Sequence, residues 1–171
     1  MKKAGCWMIS FGIESGCQQV LDAVSKGISP EQSIQAVNLA KKAGLRVSGH
    51  FILGLPGDTY QSIKETIHFA LGLDLDMAQF YCATPFPGAL LYDQAIKQGW
   101  IRSDLLEDIG QNNAVLNLPG LDPARVNRFK SRAYKKFYLR PKQIVRTLSM
   151  VQPGMRIGFL REAIKFIRWA E

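Results

Sequence analysis

The sequence predicts an α/β chain of parallel β/α units, a partial (β/α) barrel followed by a C-terminal helical appendage. Three observations lead there. Short apolar runs, each closed by a Gly- or Pro-containing turn, recur about 30 to 40 residues apart. Amphipathic stretches with helix-capping signals fill the intervals. The charge balance changes sign near Pro119-Gly120: residues 121–171 hold 13 basic and 3 acidic side chains, a net of +10, against −2 for residues 1–120.

The elements follow in order. Cys6 to Ile13 is an apolar run ending at Glu14-Ser15-Gly16, the pattern of a buried strand and its turn. From Cys17 to Lys26, Val20, Leu21 and Val24 recur at helical spacing, and Gly27 suits a C-cap. Ser29-Pro30-Glu31-Gln32 places an N-cap serine before a first-turn proline, with Gln at N3 to bond back, so a second helix begins there and ends at Gly44. Val47 to Leu53 is the next strand, broken by Gly54-Leu55-Pro56-Gly57. Asp58-Thr59-Tyr60-Gln61 repeats the capping logic, and Ile63, Ile67 and Ala70 or Leu71 give the following helix its inward face. Met77 to Cys82 is the third strand, Thr84-Pro85-Phe86-Pro87-Gly88 ends it, and a helix from Ala89 to Gln98 stops at Gly99.

Strand–helix alternation of this kind builds parallel sheets with right-handed crossovers. Three strands are too few to close a barrel, which usually takes roughly 250 residues. Beyond Pro119 the segments Asp122–Tyr138, Pro141–Met150 and Met155–Glu171 all read as helices. The expected division is a β/α region over 1–120 and a basic helical region over 121–171.

Composition narrows the function classes. With 47% hydrophobic and 21% charged residues the chain is an ordinary globular sequence. No apolar run approaches the roughly 18 to 20 residues of a membrane span, and the N-terminus lacks a secretory signal, so a cytoplasmic protein is expected. Cys6, Cys17 and Cys82 are an odd set at wide spacing, which fits a reducing compartment and makes neither a disulfide framework nor a metal motif. No metal ligand is assigned.

In parallel β/α folds, ligands bind at the carboxyl ends of the strands, where loops and helix N-termini converge. Three segments qualify: 12–16, 51–57 and 80–88. His50 shares a strand face with Ser48 and Ile52, directed into the barrel, while Leu53 faces the helices. In the third strand Gln79 and Tyr81 share one face and Phe80 and Cys82 the other, and the sequence leaves open which pair lines the cavity. His68 falls on the exposed side of a helix and receives no role.

These three segments, in this order and spacing, with Lys26-Gly27 after the first, resemble the later strands of the radical S-adenosylmethionine (radical SAM) family, most closely its cobalamin-binding branch. The likeness covers about Lys2 to Ile101, and Phe137-Tyr138-Leu139-Arg140-Pro141 is similar to the helical tail of that branch. It implies strands 4 to 6 of a TIM-like barrel. It also implies SAM as cofactor, with a 4Fe-4S cluster and, in the branch, cobalamin. The family's Cys-x₃-Cys-x₂-Cys cluster motif is absent, so the resemblance implies a C-terminal portion of an enzyme whose first three βα units, or a pairing chain, would complete it. The intact enzyme would cleave SAM for radical C–H chemistry, with methyl transfer where cobalamin is used, and this chain alone is expected to be inactive.

The resemblance also implies residue roles. Glu14 corresponds to the acidic or amide side chain that meets the SAM ribose, Lys26 to the cation that meets the methionine carboxylate, and Ile52 to a residue packed on adenine. Each also has a plain reading: a first-turn acid favoured by the helix dipole, a solvated cation and a core residue. His50 stands where some members carry a ribose-binding acid. It is a candidate for cofactor or substrate contact or proton donation, and equally for a satisfied core histidine. Gln79 and Tyr81 are the substrate-facing candidates.

The tail has a separate reading. Ile157, Leu160, Ile164 and Ile167 form one face of a basic helix with Trp169 near its end, a pattern that either packs on its own domain or lies on anionic lipid at the inner membrane surface, consistent with a lipid-like small-molecule substrate. No nucleic-acid motif accompanies the charge. Two non-enzymatic alternatives remain: a half-barrel interaction module that pairs its open sheet with another chain, and a basic lipid-surface-binding protein.

Overall fold

A computed structural model describes residues 1–101, 110 and 112–169. Three strands, β1 (Met8–Glu14), β2 (Arg46–Leu53) and β3 (Met77–Cys82), form one parallel sheet in the order β1-β2-β3. Between β1 and β2 lie α1 (Gln18–Ala23) and α2 (Pro30–Lys42), and α3 (Tyr60–Gly72) joins β2 to β3. The helices α4 (Leu90–Lys97), α5 (Pro123–Tyr138), α6 (Pro141–Met150) and α7 (Arg156–Trp169) follow. The parallel α/β class expected from the sequence is the one observed. Of the expected apolar face of the last helix, the side chains of Leu160, Ile164 and Ile167 lie outside the described residues, as does that of Trp169 near the helix end.

Local chemistry accounts for the element boundaries. Ser29 accepts from Gln32 N while Gln32 Oε1 accepts from Ser29 N, the capping box the sequence predicts. The second box is centred one residue later than Asp58, on Thr59 and Ser62. The helix expected to reach Lys26 stops at Ala23, because Ser25 takes a left-handed backbone (φ 52°) that turns the chain out of the helix.

One face of the sheet is apolar and covered by helices. Val47, Phe51 and Leu53 of β2 and Ala78, Phe80 and Cys82 of β3 are all at most 1% exposed. Phe51 stacks on Phe80 at 5.3 Å between ring centroids, and Phe80 meets Tyr134 and Phe137 of α5 edge-on. Burial of side chains this size stabilises by roughly 1.5–3 kcal/mol each. Val126, Phe129, Ala133 and Phe137 place α5 within this same core.

The outer edge of β3 is sealed by side chains. Tyr138 Oη accepts from Ala78 N at 3.1 Å and donates to Ala78 O at 2.8 Å, and Tyr134 Oη accepts from Phe80 N at 3.1 Å. Two tyrosines four residues apart thus match two alternate residues of the strand. The polar residues that follow serve a related end. Arg140 donates to Leu71 O, Gln143 to Asp76 O, and Arg146 to both Leu75 O and Asp74, so α6 holds the turn that leads into β3. On the opposite side β1 is an edge strand with no partner among the described residues.

Candidate functional site

The site grows from an irregularity at the end of β1. The register runs Gly12↔His50 and then Glu14↔Phe51, so the strand bulges over Ile13, and Glu14 adopts φ 64°. A left-handed non-glycine residue costs about 1–3 kcal/mol and persists only where its surroundings enforce it. Ser25 is the other such residue among those described, and it directly precedes Lys26. The two strained residues deliver one contact: Lys26 Nζ donates to Glu14 Oε1 at 2.9 Å.

Gly12 makes room for that contact. A Cβ at this position would lie 2.8 Å from Glu14 Oε1 and 3.4 Å from Lys26 Nζ. The pair therefore folds back across the strand over bare backbone. With the Lys26 and Glu14 side chains 32% and 20% exposed, it contributes little to stability, at most about 1 kcal/mol. What the arrangement does is present a carboxylate and an ammonium group together at the carboxyl end of the edge strand β1.

The sheet register brings the other candidates to the same face. Gly12 pairs with His50 and His50 with Gln79, while Ile52 pairs with Tyr81. Parallel neighbours in register point the same way, so Ser10, Gly12, Ser48, His50, Ile52, Gln79 and Tyr81 share one face. The question left open by the sequence is thereby answered: Gln79 and Tyr81 lie with His50, and Phe80 and Cys82 lie under the helices. His50, Ile52, Gln79 and Tyr81 are half-buried, unlike the sealed opposite face. The His50 and Tyr81 rings sit 5.8 Å apart, tilted by 42°, and Gln79 Oε1 accepts from Tyr134 Oη at 3.0 Å. His68 is exposed on α3.

Residues that sequence reasoning passed over hold the loops in place. Ser15 and Thr66, both 1% exposed, share a 2.8 Å hydrogen bond, and Thr66 Oγ1 also accepts from Gly16 N. Gly16 packs so closely on α3 that a Cβ would fall 2.4 Å from Phe69 Cβ. After β2, Asp58 Oδ2 accepts from Gly54 N and Leu55 N, and Oδ1 accepts from Ser62 Oγ at 2.5 Å. Burial pushes the Asp58 carboxyl up, against the opposing hydrogen bonds from Ser62, Leu55 and Gly54. The signal was present: an Asp four residues after a strand-ending Gly and next to an N-cap is an Asx-type turn anchor.

The cysteines do not form a ligand set. Cys6 and Cys17 are half-buried and Cys82 is buried, its thiol pushed up to about 11 by burial with the Lys130 ammonium acting in the other direction. Among the described residues no three His, Cys, Asp or Glu side chains converge as metal ligands. These residues do not fit a 4Fe-4S cluster. The open face fits a different kind of group: paired charges of opposite sign suit an amino-acid zwitterion, and a carboxylate suits hydroxyl donors. No helix among the described residues is long and apolar enough to cross a membrane.

A model of the radical SAM superfamily matches residues 1–70. The chain is 39% identical over 148 residues to an uncharacterized methyltransferase of Pyrococcus horikoshii, covering 86% of this chain and 32% of that protein. It is 28% identical over 147 residues to the bacteriochlorophyllide d C-8(2)-methyltransferase of Chlorobaculum tepidum, covering 85% and 33%. Among solved structures it is similar to the N-terminally deleted archaeal Elp3 of Methanocaldococcus infernus, with a TM-score of 0.50 and 29% identity over 57% of this chain and 23% of that one. The chain spans about a third of the length of these two curated relatives.

Proposed function

Because this chain belongs to the radical SAM superfamily, we propose that it supplies the SAM-binding and substrate-facing strands of a SAM-dependent enzyme of the methyltransferase type. The observation that carries the reading is the Lys26–Glu14 pair, held over Gly12 by two left-handed residues. Within it, Lys26 offers an ammonium to the carboxylate of SAM and Glu14 accepts from the ribose hydroxyls, while Ile52 gives the adenine an apolar seat. Bound SAM supplies the methyl group or the carbon radical precursor. His50, Gln79 and Tyr81, further along the same face, orient the substrate or exchange a proton with it.

The cluster that reduces SAM would be bound by a polypeptide segment other than this sequence, whose described residues bring no fitting ligand set together. The unpaired edge of β1 is the place where the sheet would continue toward it. The methyltransferase names of the relatives support a cobalamin-using branch, with cobalamin likewise held elsewhere. The test is calorimetric titration of the chain with SAM. Binding should be saturable and weakened about tenfold in Lys26→Met, and absence of binding to the wild-type chain would overturn the reading. A second test uses iron and sulfide reconstitution of the chain alone, which should yield no 5′-deoxyadenosine from SAM.

A specific observation favours a second role for the tail. Val145, Met155 and Ile157 are 68%, 64% and 72% exposed beside Lys142 and Arg156, a mixture suited to an anionic lipid surface. Co-sedimentation with phosphatidylglycerol vesicles, lost in a chain ending at residue 138, is the expected result.

A further inference from the structure

The face of α3 turned toward α5 leads to a site that the proposed SAM-binding role does not use. The two helices are fastened at both ends. At the first, Tyr60 stacks on Phe129 at 5.9 Å, Arg125 lies 3.9 Å over the Tyr60 ring, and Tyr60 Oη accepts from Asp122 N. At the second, Arg140 donates to Leu71 O. Between these fastenings the surface opens into a cleft of about 640 Å³, within the range of small-molecule sites.

The cleft has an apolar floor and a cationic rim. Ile67 and Leu71 of α3 face Phe129 of α5 across it. On the rim Lys64 stands on α3 and Arg132 and Lys136, four residues apart, on the ridge of α5 that carries Phe129. Glu65 is the one acidic side chain in the lining. None of the three cations forms an ion pair within 4 Å with a described residue, although Arg146, Lys142 and Lys41 on other helices all find carboxylates. Three cations against one carboxylate leave the lining of this apolar cleft with an excess of positive charge, which a bound anion would offset.

We propose that the α3–α5 cleft binds a small anionic amphiphile, whose apolar chain lies on Ile67, Leu71 and Phe129 and whose phosphate or carboxylate head is held by Lys64, Arg132 and Lys136. The chemistry calls for both parts. A bare anion would leave the floor wet, and a neutral chain would leave the rim uncompensated.

The test is calorimetric titration of the full chain with monomeric dodecyl phosphate, with inorganic phosphate and neutral dodecyl maltoside run in parallel. One dodecyl phosphate should bind per chain, at least tenfold more tightly than either control. The surface variant Arg132→Glu/Lys136→Glu should lose at least tenfold in affinity, and Lys42→Glu/Lys97→Glu, remote and of equal charge change, should not. Equal binding of dodecyl maltoside, equal losses in the two variants, or retention on phosphatidylglycerol vesicles without binding of the monomer would each overturn the proposal. SAM titration of the same variant keeps the two sites distinct: its SAM affinity should be unchanged.

Discussion

Lys26 Nζ and Glu14 Oε1 meet at 2.9 Å above the Cα of Gly12, and a single added methyl group at Gly12 would lie 2.8 Å from that oxygen. Gly12→Ala is therefore expected to separate stability from binding. The atoms it displaces are the far ends of two partly exposed side chains, so unfolding free energy should change by less than about 1 kcal/mol. SAM affinity should fall about tenfold, because the charges no longer sit together. Chemical denaturation and calorimetry on one preparation measure both quantities, and an unchanged affinity would refute the assignment.

Gly16→Ala should behave in the opposite manner. Its new Cβ would fall 2.4 Å from Phe69 Cβ and 2.8 Å from Cγ, close to the α3 backbone where little can yield. A cost of about 1–3 kcal/mol is expected from overpacking. Truncating the neighbour as well, in Gly16→Ala/Phe69→Ala, should recover part of the loss relative to the sum of the single variants, as a double-mutant cycle in urea would reveal.

The tyrosine seal on β3 gives a third expectation. Tyr138→Phe removes one oxygen and leaves Ala78 N–H and C=O without their partner, at a cost of about 1–3 kcal/mol. Tyr134→Phe deprives Phe80 N–H in the same way. Burial raises both phenols above their ordinary range, with the backbone donors Phe80 and Ala78 acting against it. Denaturant midpoints should fall in both variants, and amide exchange at residues 78 and 80 should accelerate.

Acid sensitivity should centre on Asp74. Burial alone would raise its carboxyl, but the hydrogen bond and charge of Arg146, with Lys41 and Lys142, outweigh this and hold it below the ordinary carboxylate value. A carboxylate whose folded-state pKa is depressed stabilises the fold at pH values above its unfolded pKa of about 4, and that stability disappears as pH falls through the folded value. Asp74→Asn should flatten the acid limb of the melting-temperature profile below about pH 4, leaving the neutral range with a constant offset.

Much of the fold was readable in order along the chain because its signals are local. The strand at 77–82 and the Ser29–Gln32 box depend on side chains within a few residues of each other, and they emerge where the periodicity and capping rules put them. The shared face of His50 and Ile52 follows from period-two alternation. What escaped was set by distant partners or by backbone strain. Whether Gln79 or Phe80 faced inward depended on pairing with β2, and the Tyr134 and Tyr138 contacts join residues more than 50 positions apart. The left-handed conformations at Glu14 and Ser25 carried no glycine to announce them, so their meeting through Lys26 could not be foreseen from spacing alone.

The two edges of the sheet have unequal valence. Tyr134 and Tyr138 occupy backbone groups that a further strand would need beyond β3, whereas no strand among the described residues pairs with the outer edge of β1. A building block with two live edges can propagate into fibres. One with a single live edge can only be terminated, either by the strand that continues its own barrel or by a second copy joined edge to edge about a two-fold axis. Self-association through this sheet should accordingly stop at two.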